Sequence, residues 1–197
     1  MTTEIAKNTT LGDTFESNYV DPQAGTKEFI RELSENTATE VETSLVFTNS
    51  ETKIIVWHIQ NPEGLDWTDG IYTWLIRTGA VGDPAIDLDQ VFIRRVSADG
   101  LTVRASISSS DGLADPLTAD KTITDTINDS GGTLNPGGKA ADDHIVLVFE
   151  LINTSTHGGD DTTSVEQNLS TSTRLLTPEA VGIPTIIPLI ANTPLTI

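Results

Sequence analysis

The chain has 197 residues, with 29 acidic and 11 basic side chains, no cysteine and a formal net charge of −18. Its length predicts one domain, alone or with arms, and allows a hydrophobic core without cross-links. The lack of cysteine excludes disulfide scaffolds, cysteine-ligated zinc fingers and thiol nucleophiles. An acidic excess without a basic stripe argues against nucleic acid or an anionic membrane surface as a partner.

The body of the chain, residues 26–177, carries the signature of an all-β domain. Short segments rich in Val, Ile, Thr and aromatic residues alternate with clusters of Gly, Asp, Asn and Pro. Their number and spacing predict a single antiparallel β-sandwich, jelly-roll-like in its topology. The segment Thr26–Leu33 is compatible with either a short helix or an edge strand. The predicted strands are Glu40–Phe47, Lys53–Ile59, Gly70–Arg77, Gln90–Val96, Leu101–Ile107, Lys121–Ile127, His144–Ile152, Ser164–Leu169 and Thr171–Thr177.

Two strands predict where the core lies. Alternation in Gly70–Arg77 places Tyr72, Trp74 and Ile76 on one face, which we expect to be buried. The segment His144–Leu151 is almost continuously apolar, as in a central strand covered on both faces. A tight hairpin is expected at Ser97–Gly100.

The two ends of the sequence differ from the body. Residues 1–25 are polar, contain no apolar signal-peptide core and are predicted to form an N-terminal arm. Residues 178–197 are apolar and proline-rich and are predicted to form an extended C-terminal arm. Such an arm needs apolar shelter, either as a last edge strand of its own molecule or, as we favour, on a neighbouring subunit. The predicted subunit-contact residues are Ile183, Pro184, Ile186, Ile187, Leu189, Ile190 and Leu195.

No pattern of catalytic residues is present in the sequence. It lacks the nucleophile-elbow, zinc-protease, phosphate-loop and dinucleotide fingerprints. His58, His144 and His157 lie in separate segments without a metal-ligand spacing, and the first two are expected in sheets. We therefore predict no enzymatic activity, no catalytic residue and no cofactor.

Three groups of acidic residues could supply oxygen ligands to calcium if they lie in loops. They are residues 83–89, Asp125 with residues 128–129, and residues 158–161. None follows the EF-hand register, so ordinary turn chemistry is the favoured interpretation and metal binding stays open.

The segment Glu63–Gly70 resembles a carbohydrate platform in composition. Trp67 offers a ring face for stacking on a sugar, and Asp66 and Asp69 offer acceptors for its hydroxyls. The alternative is that Trp67 closes the end of the sandwich while the acids form the turn.

Arg94 and Arg95 form the only pair of adjacent basic residues. Because neighbouring strand residues point to opposite faces, one of them must point inward or toward a partner. A salt bridge with a carboxylate is the expected arrangement.

Three segments, Asp66–Trp74, Val91–Ser97 and Asp142–Glu150, together resemble small all-β proteins encoded among the virion genes of tailed viruses. The resemblance covers about residues 55–155. It implies a jelly-roll-like sandwich that serves as a capsid decoration, tail or fibre-associated component, and it brings no catalytic residues with it.

The sequence therefore predicts a virion structural protein, most specifically a capsid decoration or cement protein. It would assemble as a homo-oligomer on the shell and contact the major capsid protein or another virion protein. The alternative is a receptor- or glycan-binding module of a tail or fibre.

Overall fold

The computed structural model describes residues 3–4, 18–19, 22, 28–31, 41–60, 69–110, 112–134, 143–156, 158–167 and 173–177. Twelve strands have defined bounds in these residues. They are β1 (Thr3–Glu4), β2 (Glu28–Arg31), β3 (Val41–Phe47), β4 (Thr52–Gln60), β5 (Gly70–Arg77), β6 (Asp83–Val96), β7 (Val103–Ser108), β8 (Asp115–Leu117), β9 (Thr122–Asp129), β10 (His144–Asn153), β11 (Asp161–Gln167) and β12 (Arg174–Thr177).

The strands form two main sheets and a two-stranded ribbon. The smaller sheet has the order β1-β12-β5-β9, the larger sheet has the order β2-β4-β10-β6-β7 with β8 also on β6, and the ribbon is β11-β3. All pairs are antiparallel except the short parallel pair of β2 with β4. The predicted antiparallel β-sandwich is confirmed.

The chain repeatedly crosses between the two sheets, as in jelly-roll folds. Consecutive strands β4 and β5 lie in different sheets, and so do β9 and β10. Strand β5 pairs with β9 while β4 pairs with β10, so each strand of the first consecutive pair lies beside one strand of the second. This wrapping brings residues far apart in sequence together in one core.

The main core lies between the two sheets, where the alternation in β5 predicted it. Tyr72, Trp74 and Ile76 are all buried. The Phe149 ring of β10 stands edge-on to Trp57 of its own sheet at 5.4 Å and to Trp74 of the opposite sheet at 5.9 Å between ring centroids. Phe149 therefore joins the two layers at the centre of the core.

Strand β10 is buried on both faces, as its continuous apolar sequence predicted. Val146 and Val148 point away from the main core and pack with Phe92 in a second cluster on the outer face of the larger sheet. Tyr19, from the predicted N-terminal arm, belongs to this cluster and is buried. Within the described residues, no helix is long and apolar enough to cross a bilayer.

Several predicted elements need correction. The structure assigns a strand, β2, within Thr26–Leu33, which settles the choice between helix and edge strand. The strand predicted at Gln90–Val96 begins earlier, at Asp83, because Asp115–Leu117 pairs with its first half. The strands β1 and β8 were not predicted at all, since two or three residues carry no periodicity.

The hairpin expected at Ser97–Gly100 is present between β6 and β7. Gly100 donates its N–H to the Ser97 carbonyl at 2.8 Å and has a φ of 77°, which favours glycine. The side chain of Asn18 donates to the Asp99 carbonyl at 2.9 Å, so this turn is also tied to the N-terminal part of the chain.

Candidate interaction site

The residues predicted to make subunit contacts all lie outside the described part of the chain. These are Ile183, Pro184, Ile186, Ile187, Leu189, Ile190 and Leu195, and Asp66 and Trp67 of the carbohydrate platform lie outside it too. The roles assigned to them stay predictions. Of the predicted site residues, the structure describes Asp69, which is exposed.

Asp69 lies beside a loop that another carboxylate holds in place. A Cβ at Gly132 would lie 2.6 Å from Asp69 Oδ1. Asp129 is buried and accepts the backbone N–H groups of Thr133 at 2.7 Å and Leu134 at 3.0 Å. Burial, together with the charges of Asp129 and Asp69, raises the pKa of the Tyr72 phenol far above its ordinary value. Asp129 is therefore structural, whereas Asp69 can still offer oxygens to a ligand.

The acidic residues considered for calcium do not form a metal centre in the described residues. Asp83, Asp87 and Asp89 lie in β6 and not in a loop, because buried Ile86 and Leu88 alternate with them. The residues described contain no group of three or more His, Asp or Glu side chains placed to hold an ion.

Burial and neighbouring groups raise the pKa of Asp87, and a neighbouring amide hydrogen-bonds the side chain of Asp161. Burial and the nearby Asp115 carboxylate raise the pKa of Asp87, while Lys121 opposes the shift. Asp161 accepts the side-chain amide of Asn153 at 2.8 Å. Asp87 and Asp161 therefore each interact with other residues of the protein: Asp87 with Asp115 and Lys121, and Asp161 with Asn153.

His58 and His144 lie in sheet strands, as predicted, and they contact each other. Their Nδ1 atoms are 3.0 Å apart on the outer face of the larger sheet, and both side chains are buried. At this distance a ring nitrogen of one histidine can hydrogen-bond a ring nitrogen of the other, with the donor and acceptor roles set by the tautomers. His157 lies outside the described residues.

The adjacent arginines point to opposite faces, and one of them forms the expected salt bridge. Arg95 Nε lies 2.6 Å from an oxygen of the buried Asp143, which also accepts Arg104 Nε at 3.0 Å. Arg94 lies over the Phe92 ring at 4.5 Å and donates to Ser106 Oγ at 2.9 Å. Both arginines of the adjacent basic pair therefore make contacts with residues of their own chain.

Strand β9 is a protected edge of the smaller sheet. Asp125 follows the alternation of buried Ile123 and Ile127, yet it is exposed at the margin of the sandwich. Its carboxylate accepts the N–H of Thr126 at 2.7 Å, so this backbone donor is already engaged. A charge that points toward the core side of an edge strand opposes the addition of another strand.

Strand β7, which lies beside β9, is also protected. The register with β6 shifts between Arg95 and Val96, so Arg104 is an extra residue that bulges from the ladder. A bulge disrupts the row of hydrogen-bonding groups that an added strand would need. The opposite margins of the sheets are β1 and β2, with two and four residues, and such short edges pair poorly.

Strand β3 is a longer edge strand that has neither a bulge nor an inward-pointing charge. Its seven residues include no Pro, Gly or Lys, and no described strand pairs with it on the side away from β11. Ser164 of β11, which lies opposite Ser44, exchanges backbone hydrogen bonds with Gly79 and Val81.

In an antiparallel pair, two residues directly opposite each other either bond to each other or both point their backbone groups away. Since the backbone groups of Ser164 bond to Gly79 and Val81, those of Ser44 point away from β11, and the alternation along β3 directs those of Glu42 and Val46 the same way. We call the N–H and C=O groups of Glu42, Ser44 and Val46 the β3 edge. The Glu42 carboxylate accepts Ala80 N–H at 2.9 Å and Ser164 Oγ, so its charge is held against its own molecule. The Val46 side chain is 50% exposed.

The β3 edge could not be identified from the sequence. The apolar composition of Val41–Phe47 correctly predicted a strand, but the sequence gives no signal of which strands lie at an edge. The lack of Pro and Lys in this segment is compatible with an open edge, and only the sheet order makes it meaningful.

No model of a protein family matches the chain, and no curated protein matches it. Among solved structures, a chain in the structure of the infectious bursal disease virus Gx strain is similar over 70% of this chain, with 12% identity and a TM-score of 0.25. The match covers 38% of that chain, well under two thirds of its length. This is a weak structural resemblance to a virus protein.

Proposed function

We propose that the chain is a structural component of a virus particle, and specifically a capsid decoration or cement protein that assembles with copies of itself. The observation that carries the proposal is the contrast between the β3 edge, which no described strand covers, and the protected β7 and β9 edges. The sequence resemblance to small virion proteins supplies the biological setting.

The contrast between edges favours association at one place. Each backbone hydrogen bond formed across an edge contributes about 0.5–1.5 kcal/mol net, so a few of them, with burial of Val46, give a weak contact. A net charge of −18 repels copies elsewhere on the surface. Copies held close together on a shell would turn such weak contacts into stable binding through multivalency.

The first test measures whether the chain is part of the particle. Quantitative mass spectrometry of purified particles of the virus that encodes it should find the chain in a copy number comparable with that of the shell protein. Absence from the particles would refute the proposal, and a few copies per particle would favour a tail or fibre location.

The second test measures self-association by sedimentation velocity. Val46→Glu places a charge on the β3 edge and should weaken association at least about tenfold, the equivalent of about 1.4 kcal/mol. Thr124→Glu places the same charge at another exposed strand position, on β9, and serves as the control. Equal effects of the two substitutions would argue against the β3 edge.

The exposed carboxylate of Asp69 favours a glycan-binding module as the second candidate. A glycan array that responds to the wild-type chain and not to Trp67→Ala or Asp69→Asn would support it. Loss of glycan binding without loss of self-association would separate the two functions.

A further inference from the structure

We propose that the β3 edge accepts residues 183–197 of a second copy of this chain as an added strand. The inference rests on the proposed function, because it names the contact through which the copies would assemble. Two independent observations carry it: the positions of the prolines in this segment and the edge of β3 that no described strand covers.

The prolines after β12 all occupy even positions: Pro178, Pro184, Pro188 and Pro194. In an extended strand, the N–H and C=O groups of alternate residues point to opposite sides. Since proline has no N–H, one side of this segment is interrupted three times between residues 183 and 197. The other side, formed by the odd residues, keeps every hydrogen-bonding group.

A segment of this kind can pair with a sheet on one side only. Proline is tolerated in a strand when its position faces away from the partner. Residues 183–197 are therefore suited to join a sheet as its outermost strand and to prevent any further strand from joining. The contact would close after one addition and would not grow into a fibre.

The described edges differ in their ability to accept such a strand. β9 carries Asp125, β7 is interrupted at Arg104, and β1 and β2 are short. The β3 edge offers the backbone of Glu42, Ser44 and Val46 and an exposed valine side chain. Peptide strands that join an exposed edge gain affinity from such backbone bonds and specificity from neighbouring side chains.

Charge also favours residues 183–197 as the occupant. The segment contains no charged residue, whereas the whole chain has a net charge of −18. An uncharged apolar strand approaches another copy without adding like-charge repulsion. Its isoleucines and leucines can bury the exposed side chain of Val46.

The direction of β12 favours a second copy over the same one. Leu176 pairs with Thr73, so Thr177 lies toward the Gly70 end of β5. The ribbon of β3 contacts the chain beyond the other end of β5, where Glu42 accepts Ala80 N–H. Thr177 lies opposite Tyr72, which is five residues or about 17 Å from the Arg77 end of β5, so β12 ends pointing away from its own β3 edge.

The proline pattern itself provides the sharpest test. Any seven-residue stretch within 183–197 contains residue 187 or 191, so the double variant Ile187→Pro/Ala191→Pro interrupts the odd side in every register that pairs with all seven residues of β3. Ile186→Pro/Ile190→Pro adds two prolines to the even side and is the matched control. Sedimentation should show self-association weakened at least about tenfold by the first variant. The control should stay within about twofold, and equal effects of the two would overturn the inference.

The β3 edge, which would accept the added strand, can be tested with a second matched pair of proline variants. Ser44→Pro removes one N–H of the β3 edge, while Thr122→Pro removes an N–H from the free side of β9. Both prolines leave the ladders to β11 and β5 intact, and unfolding temperatures check that each variant folds. Ser44→Pro should reduce self-association as strongly as the double arm variant, and an effect confined to Thr122→Pro would contradict the assignment.

Cross-linking distinguishes a second copy from the same copy. The chain has no cysteine, so a Val46→Cys copy can be mixed with copies that carry one cysteine at Thr185, Ile187, Leu189 or Ala191. Oxidation should join the two kinds of copy in at least one mixture, even if Ser44→Pro fails to fold. Lack of cross-linking in all mixtures would refute exchange between copies. A disulfide formed within one chain, in a variant that carries both cysteines, would refute it as well.

The outcomes also separate this inference from the proposed function. If the wild-type chain is missing from particles and stays monomeric, the proposed function fails and the inference fails with it. If the chain self-associates but the odd-side and even-side proline variants behave alike, the copies assemble by another contact and only the inference fails.

Discussion

Replacing Asp143 with asparagine tests how strongly the buried ion cluster holds the larger sheet together. Asp143 lies next to β10 and binds Arg95 of β6 at 2.6 Å and Arg104 of β7 at 3.0 Å. Asparagine has almost the same size, so the substitution removes the charge and leaves the packing nearly unchanged.

The expected loss can be divided between the two arginines. Arg95 and Asp143 expose 5% and 2% of their side chains, and removing one member of such a buried pair costs about 3–5 kcal/mol. Arg104 exposes 45% of its side chain, so its ion pair contributes only about 0–1 kcal/mol. Asparagine keeps an acceptor oxygen for Arg95, which places the total near the lower end, about 3 kcal/mol. For a chain of this size that corresponds to about 6–12 °C in unfolding temperature.

Urea unfolding and calorimetry measure the loss, and Arg104→Gln is the control. The control should lose no more than about 1 kcal/mol, and the loss in Asp143→Asn should persist at high salt because buried charges are poorly screened. A loss of less than about 1 kcal/mol of unfolding free energy in Asp143→Asn, or equal losses in the two variants, would refute a stabilising role for the buried ion pair.

Three further predictions follow from close contacts and charges in the structure. Gly82→Ala should destabilise by about 1–3 kcal/mol in urea unfolding, because the new Cβ would collide with the backbone at Thr118–Ala119. Asp87→Asn should stabilise at pH 7 by up to about 1 kcal/mol, since burial and the Asp115 carboxylate raise the pKa of Asp87 in the folded state and its charge is unfavourable there. Asp125→Val should increase self-association in light scattering, because it removes the charge that protects β9.

Each of these predictions has a control and a refuting result. Gly158→Ala should be near neutral, since no described atom outside the adjacent residues lies within 4 Å of its new Cβ, and equal losses at both glycines would argue against the collision. The gain in Asp87→Asn should shrink as the pH falls through the raised pKa, because the wild-type carboxyl becomes protonated first in the folded state; a gain that grows would reverse the sign. Thr126→Val adds apolar surface and keeps Asp125, so equal scattering from both variants would contradict the edge argument.

The sequence predicted the body of the sandwich well because burial leaves a local pattern. Residues Tyr72, Trp74 and Ile76 alternate along one strand, and the apolar run from His144 marks a strand with two covered faces. The interpretation of residues 83–89 as a loop was wrong, because it considered the aspartates and not the apolar residues between them. A closer reading would have found Ile86 and Leu88 alternating with Asp87 and Asp89 as the inward face of a strand.

The contacts of the buried arginines and histidines were less predictable than the strands, because these contacts join distant parts of the chain. The sequence predicted a carboxylate partner for Arg94 or Arg95, but it could not identify Asp143, which lies 48 residues away in sequence. It likewise assigned His58 and His144 to sheets without placing them side by side.

The sequence by itself determined the long strands of the body, the inward face of β5, the two covered faces of β10, the acidic excess and the one-sided proline pattern of residues 183–197. These properties follow from the order of neighbouring residues, because backbone alternation converts that order directly into faces and edges. Only the tertiary structure decided that, among the described strands, β3 has a partner on one side alone while the β7 and β9 edges are protected. Edge status depends on which strands lie beside each other, and that arrangement arises from pairing between segments far apart in the chain.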